Sequence, residues 1–210
     1  KQDIKELTPE AVKDIHTLGG SILSSSRGRQ EIGEMVDALK RLNVDIFFCI
    51  GGDGTMRATE CIAAEITRRD LNIAVVGIPK TIDNDLNLIQ RSFGFDTAIS
   101  ESVKAVQCAH VEATGAPNGI GLVKIMGRQS GHIAACAALA QNDVNFVLIP
   151  EAPFDLDGEG GFLRALERRL KEGGHCVILA AEGAGQEHIR KGSDPIETDP
   201  SGNLKLLDIG

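Results

Sequence analysis

The sequence predicts an α/β fold built on mostly parallel sheets. Three observations carry that expectation. Apolar runs of strand length alternate with helical patterns over 31–181, polar or glycine-rich loops follow four of those runs, and 42% of the 210 residues are hydrophobic. That apolar content suffices for one sizeable core or two small ones.

Each element has its own warrant. EIGEMVDALKRL puts Ile32, Met35, Val36, Leu39 and Leu42 on one helical face, and VDIFFCI follows as a buried strand. The pattern then repeats: a helix over about 55–69, the strand NIAVVGI, a long helix over about 96–109 and the strand GIGLVKI. SGHIAACAALA reads as a helix, VNFVLIP as a strand, GFLRALERRLKEG as a helix and HCVILAA as a strand. Such alternation predicts parallel strands with helices on both faces. EAPFDLDGEGG and QEHIRKGSDPIETDPSGN, where Gly, Pro, Asp and Ser cluster, are expected as surface loops. The apolar ending LKLLDIG has neither cap nor polar tail, which suggests a window on a longer chain.

Composition narrows the function classes. The longest apolar runs fall well short of the roughly 20 residues that span a bilayer, so no membrane segment is expected. KQDIKELTPEAV lacks the features of a secretory signal, and a cytoplasmic setting is the expectation. The five cysteines are scattered without a CxxC pair, so they read as small buried hydrophobes rather than a zinc site or disulfide framework. A net charge of -8 and the absence of Tyr and Trp disfavour a polynucleotide partner. A small anionic substrate stays open, because local Arg and Lys can outweigh the overall charge inside a cleft.

In parallel sheets ligands bind beyond the carboxyl ends of the strands. Four loops belong to that edge: GGDGT after VDIFFCI, PKTIDND after NIAVVGI, MGRQSG after GIGLVKI and AEGAG after HCVILAA. In GGDGT, Gly51, Gly52 and Gly54 let backbone N–H groups approach phosphate at a helix N-terminus. Asp53 can hold a magnesium ion that bridges phosphate oxygens. The plainer alternative is a tight turn with Asp53 or Thr55 as N-cap.

PKTIDND reads as a phosphoryl-transfer loop. Asp83 would take the proton of an attacking hydroxyl, Asp85 would assist by orientation or metal chemistry, Thr81 would donate a hydrogen bond, and Lys80 would neutralise phosphate charge. Asp and Asn also favour turns, which is the alternative. Arg128, just past a strand, can stabilise a transferring phosphoryl group or pair with a surface carboxylate. Glu182 can accept hydrogen bonds from a sugar hydroxyl, or serve as an N-cap or ion-pair partner. His132 reads as a helix residue without a role.

Taken together, GGDGT, PKTIDND, GFDTA, NGIGLVKIMGR, LIPE and AEG resemble the phosphofructokinase family in order and spacing over nearly the whole chain. The resemblance implies two Rossmann-like lobes with the active site in the cleft between them, the donor lobe over 1–96 and the sugar-phosphate lobe over 97–210. It implies magnesium-dependent transfer of the ATP γ-phosphoryl group to the 1-hydroxyl of fructose 6-phosphate, by a homotetramer or homodimer. By motif, Asp83 is the base, with Thr81, Asp85 and Lys80 in its loop. Asp53 takes the magnesium position, and Gly51, Gly52, Gly54 and Thr55 lie along the donor. Arg128 stabilises the transferred group, Met126 and Gly127 lie beside the sugar phosphate, and Glu182 contacts the sugar. Arg27 in SSSRGRQ resembles the arginine of a GSAR-like loop that reaches the donor phosphates.

Donor choice has two readings. Gly54 resembles the ATP users, whereas pyrophosphate-dependent members carry aspartate there. Lys80 resembles the pyrophosphate enzymes, but the pairing of GGDGT with PKTIDND also resembles an ATP-dependent lineage. ATP is the expected donor and pyrophosphate the alternative. More remote alternatives are a GGDGT-type kinase of NAD or lipids and a catalytically silent subunit. The chain departs from simpler bacterial members at Gly119, where they have an arginine for the sugar phosphate, and at Asn145, where they have an effector-site glutamate. The resemblance therefore does not carry over regulation by the usual nucleotide effectors.

Overall fold

A computed structural model of the chain describes residues 4–25, 30–190, 197–198 and 204–209. After a short helix α1 (Pro9–Val12) and one 3₁₀ turn, α2 (Ile32–Arg41) presents the predicted apolar face, with Val36 and Leu39 buried. Lys40 and Arg41 close it favourably against the helix dipole, and Asn43 turns the chain at φ 52°. Next come β1 (Ile46–Gly51), α3 (Asp53–Arg68), β2 (Ala74–Thr81) and β3 (Phe93–Gly94). These strands form one parallel sheet in the order β1-β2-β3, with Gly51 opposite Pro79 and Thr81 opposite Gly94. Val36, Leu39, Ile62 and Ile66 from α2 and α3 form its core together with the inward residues Phe47 and Val75.

The second sheet begins after α4 (Phe95–Thr114). It holds β4 (Gly119–Ile125), β5 (Phe146–Leu148) and β6 (His175–Ala181), with α5 (His132–Ala140) and α6 (Phe162–Gly173) between them. The order is β4-β6-β5 and every pairing is parallel. Central β6 is buried from Cys176 to Ala181, as a parallel strand covered on both sides should be. Val106 and Ala113 of α4, Ala134 and Ala137 of α5, and Val123, Val177, Leu179 and Ala181 of the strands make this core. A last turn, α7 (Gln186–Ile189), lies in a stretch expected as loop. Among the described residues no helix is long and apolar enough to cross a membrane.

The predicted α/β class and parallel pairing hold. Of the cysteines read as buried, Cys49 and Cys176 are buried but Cys61 and Cys108 are exposed, so those two thiols do not serve as core packing. The elements differ at their ends. Strand β2 runs on through Pro79, which pairs with Gly51 of β1, to Lys80 and Thr81, where the two-residue strand β3 offers a parallel partner. Helix α4 extends five residues past 109, its buried Ala113 packing into the second core before Gly115 ends it. Strand β5 is shorter than VNFVLIP. Asn145 accepts the Val177 N–H through its side-chain Oδ1 at 2.9 Å and donates its own N–H to the Val177 carbonyl, so a side chain takes over one ladder bond.

Candidate active site

The carboxyl edges of the two sheets meet, and the four loops picked out by sequence converge there. On the first sheet, a methyl group added at Gly51 would lie 2.2 Å from the Thr55 hydroxyl, so glycine is required where Thr55 folds back over the strand end. Gly52 rests against Thr81, the virtual methyl 3.5 Å from its Cβ. The GGDGT loop is thereby set beside the PKTIDND loop. At Gly54 nothing lies within 4 Å of an added Cβ, so the fold leaves that space open. Asp53 stands in the first turn of α3, where its carboxylate pairs with Arg57 at 2.7 Å, both groups exposed. An exposed pair of this kind is worth little and does not bar a cation.

The loop after β2 is held by its own side chains. The Thr81 hydroxyl accepts the Asp83 N–H at 3.2 Å, which leaves its own proton to donate. Asn84 adopts φ 53°, a left-handed conformation that asparagine tolerates. Its Oδ1 accepts the Ser92 N–H at 2.8 Å, its amide donates to the Gln90 carbonyl, and buried Ser92 donates its hydroxyl to the Thr81 carbonyl at 2.6 Å. This staple keeps Asp83 half-buried. Burial pushes the Asp83 carboxyl above the ordinary carboxylate value, Asp85 and Glu182 add to the rise, and Arg128 and Lys80 oppose it. Asp83 therefore lies in the field of Lys80, Asp85, Arg128 and Glu182 together.

On the second sheet, Met126 is 61% exposed just past β4. Gly127 at φ 143° and Arg128 at φ 49° make the turn that follows it, and a methyl at Gly127 would strike the Ser130 carbonyl at 2.3 Å. A non-glycine residue in this conformation stores strain, a feature that clusters at functional sites. The Arg128 N–H donates to Glu182 Oε1 at 3.0 Å, and its guanidinium donates to the Leu204 carbonyl at 3.3 Å. A methyl at Gly183 would meet the Arg128 carbonyl at 1.8 Å, so the MGR and AEG turns are in close contact. Glu182 also borders a cavity of about 220 Å³ with Lys124 and the segment 206–209.

The two halves are tied across the edge. Ser130, 6% exposed, donates its hydroxyl to the Asp83 carbonyl at 3.0 Å, and His132 Nδ1 lies 3.1 Å from the Asn84 carbonyl. Glu151 of LIPE accepts the Gly131 N–H with both oxygens, at 2.8 and 3.0 Å, at the start of α5. Sequence reasoning assigns no role to Asn84, Ser92, Ser130, His132 or Glu151. The left-handed preference of Asn84 inside TIDND was a usable signal, but nothing local marks a serine in a glycine-rich loop as buried. Arg27 lies outside the described residues.

Among the described residues no three His, Cys, Asp or Glu side chains gather to hold a metal. Asp53 alone beside a glycine-rich helix start still fits magnesium, which is commonly held by one or two carboxylates, waters and the phosphates of a substrate. Gly119 has a structural reason for being glycine: an added Cβ would lie 2.1 Å from the Ala113 carbonyl at the end of α4.

Comparison with known proteins agrees with the motifs. The family model described as Phosphofructokinase matches residues 1–203. The chain is 55% identical to an ATP-dependent 6-phosphofructokinase of Borreliella burgdorferi, covering 97% of this chain and 46% of that protein. It is 51% identical to an ATP-dependent 6-phosphofructokinase of Amycolatopsis methanolica, covering all of this chain and 47% of the relative. The chain thus spans just under half the length of these curated relatives. Among solved structures, a pyrophosphate-dependent phosphofructokinase from Marinobacter aquaeolei aligns with a TM-score of 0.70 at 25% identity over 84% of this chain and 46% of that one. The Pichia pastoris phosphofructokinase in the T-state aligns with a TM-score of 0.72 at 22% identity, over 89% of this chain and 21% of that one, which speaks for the fold. With six motifs in order and a family model over nearly its full length, the chain belongs to the phosphofructokinase family.

Proposed function

We propose that the full-length protein is an ATP-dependent 6-phosphofructokinase. The observation that carries this reading is the convergence of the PKTIDND and MGRQSG loops. It leaves one half-buried carboxylate, Asp83, between the fields of Lys80 and Arg128. In the proposed reaction the 1-hydroxyl oxygen of fructose 6-phosphate forms a bond to the γ-phosphorus as the bond to the ADP oxygen breaks, and the hydroxyl proton passes to Asp83. A carboxyl held above its ordinary value is a better proton acceptor for that step. Arg128, with five fixed donors, faces the charge spread over the transferring group, and Lys80 offsets phosphate charge. Thr81 orients Asp83 through the bond to its N–H. Asp85 adds negative potential beside it.

The remaining assignments follow the same reading. Residues 1–96 form the donor lobe, in which Gly51, Gly52, Gly54 and Thr55 lie along the phosphates, and Arg27 reaches them. Residues 97–210 form the sugar-phosphate lobe, with Met126, Gly127 and Glu182 toward the sugar. Magnesium, when bound, would supply charge neutralisation on the donor, and Asp53 is the residue that would hold it. The setting is cytoplasmic and the assembly a homotetramer or homodimer.

Gly54 favours ATP. The open space at its Cα admits a nucleotide α-phosphate that a carboxylate at this position would repel. The relatives at 50% identity and above that are named here are described as ATP-dependent. Lys80 is what favours pyrophosphate, and it is compatible with either donor. Initial rates on the full-length protein with fructose 6-phosphate, magnesium and either donor decide the matter. Turnover with ATP is expected. Turnover with pyrophosphate alone overturns the donor assignment, and no turnover with either revives the silent-subunit reading.

A further inference from the structure

Most side chains at the meeting edge hold their own loop, but Ser130 and His132 reach across. Ser130 donates its N–H to the Gly127 carbonyl at 2.7 Å, closing the turn that carries Arg128. Its single hydroxyl proton goes to the Asp83 carbonyl at 3.0 Å, and the same oxygen accepts the His132 N–H at 3.3 Å. His132 Nδ1 faces the Asn84 carbonyl at 3.1 Å. A carbonyl only accepts, so Nδ1 carries the proton in this contact, whether the ring is neutral or charged.

We propose that Ser130 and His132 form a positioning clasp, which grips the consecutive carbonyls of Asp83 and Asn84 and thereby fixes the Asp83 carboxylate relative to Arg128. This rests on the function proposed above. Three features support it. Ser130 is buried, so its hydroxyl has no water to replace the Asp83 carbonyl at no cost. The residue that closes the Arg128 turn is also the one that holds Asp83, so one side chain relates the two groups. Both bonds end on main chain, which leaves the carboxylate of Asp83 free for proton transfer.

The test uses Ser130→Ala, Ser130→Thr, His132→Leu and His132→Asn in the full-length enzyme. Displacements of about 1 Å at a reacting group cost up to roughly 10²-fold in rate. Ser130→Ala is expected to lower kcat about 10- to 100-fold, with KM for both substrates within about threefold of wild type. The acid limb of kcat/KM should move to lower pH as water reaches Asp83. Ser130→Thr, which keeps the hydroxyl, and His132→Asn, which keeps a donor near Nδ1, should recover most of the loss that Ser130→Ala and His132→Leu show. Amide hydrogen exchange over 83–92 gives a readout independent of substrate and should rise in Ser130→Ala. Unchanged kcat and unchanged exchange overturn the clasp. So does a rate loss that merely tracks a lowered melting temperature with the acid limb unmoved. A wild type inactive on fructose 6-phosphate but with faster exchange in Ser130→Ala sinks the functional reading and leaves the clasp standing.

Discussion

Asp83 and Gly119 show how much a single position decides. The raised Asp83 carboxyl means that the native state holds this proton more tightly than the unfolded chain does. Stability from this group therefore falls as pH rises from the ordinary value of 3.8 toward the raised one, and stays lower above it. Asp83→Asn in the full-length protein should cut turnover by about 10²- to 10⁴-fold while the melting temperature at neutral pH is unchanged or higher. A lower melting temperature would contradict the burial account. The acid limb of kcat/KM should lie above the ordinary carboxylate range, and Asp85→Asn should bring it down. Gly119→Ala, with its methyl driven against the Ala113 carbonyl, should cost roughly 1–3 kcal/mol in denaturant titrations. Motif residues could be picked out at this scale because the chemistry proposed for them is tied to residue type. Ser130 and Asn84 could not, since their importance lies in contacts 47 and 8 residues away along the chain.

Helix α3 begins within the GGDGT loop and is anchored at its other end. Arg69, just past its last turn, donates to Glu65 and to Asp37 of α2 at 2.6 Å each and reaches the Gly33 carbonyl at 3.3 Å. Hydrogen bonds from Arg68 and Arg69 lower the Glu65 carboxyl to about 2. Its stabilisation is thus present above the ordinary value of 4.5 and is lost as pH falls from there toward about 2. Glu65→Gln should flatten the acid side of the melting-temperature profile in that window, and a profile parallel to wild type would remove the assignment. Element positions were readable from periodicity where a helix has one apolar face, as in Ile32, Met35, Val36 and Leu39 of α2. Ends were harder. Strand β2 gains Lys80 and Thr81 only because β3 lies beside it, a pairing no local pattern announces.

The molecule as a whole is two parallel sheets, and the first is covered on one face by α2 and α3. On its other face Ile46, Phe48 and Ile50 of β1 and Val76 of β2 are 55%, 54%, 49% and 40% exposed. Contiguous exposed apolar surface of this kind promotes association. The 210-residue chain should bind a hydrophobic dye and sediment as larger species at higher concentration, and Phe48→Lys should weaken both effects; a dye-silent monomer would show that this face is not exposed in solution. Between the sheets, the contacts of Ser130 and His132 end on carbonyls and ignore the side chain at position 83. Backbone seat and side chain are therefore separable at position 83. A glutamate, histidine or cysteine placed there would keep the same main-chain partners, which offers a starting frame for engineering proton-transfer chemistry.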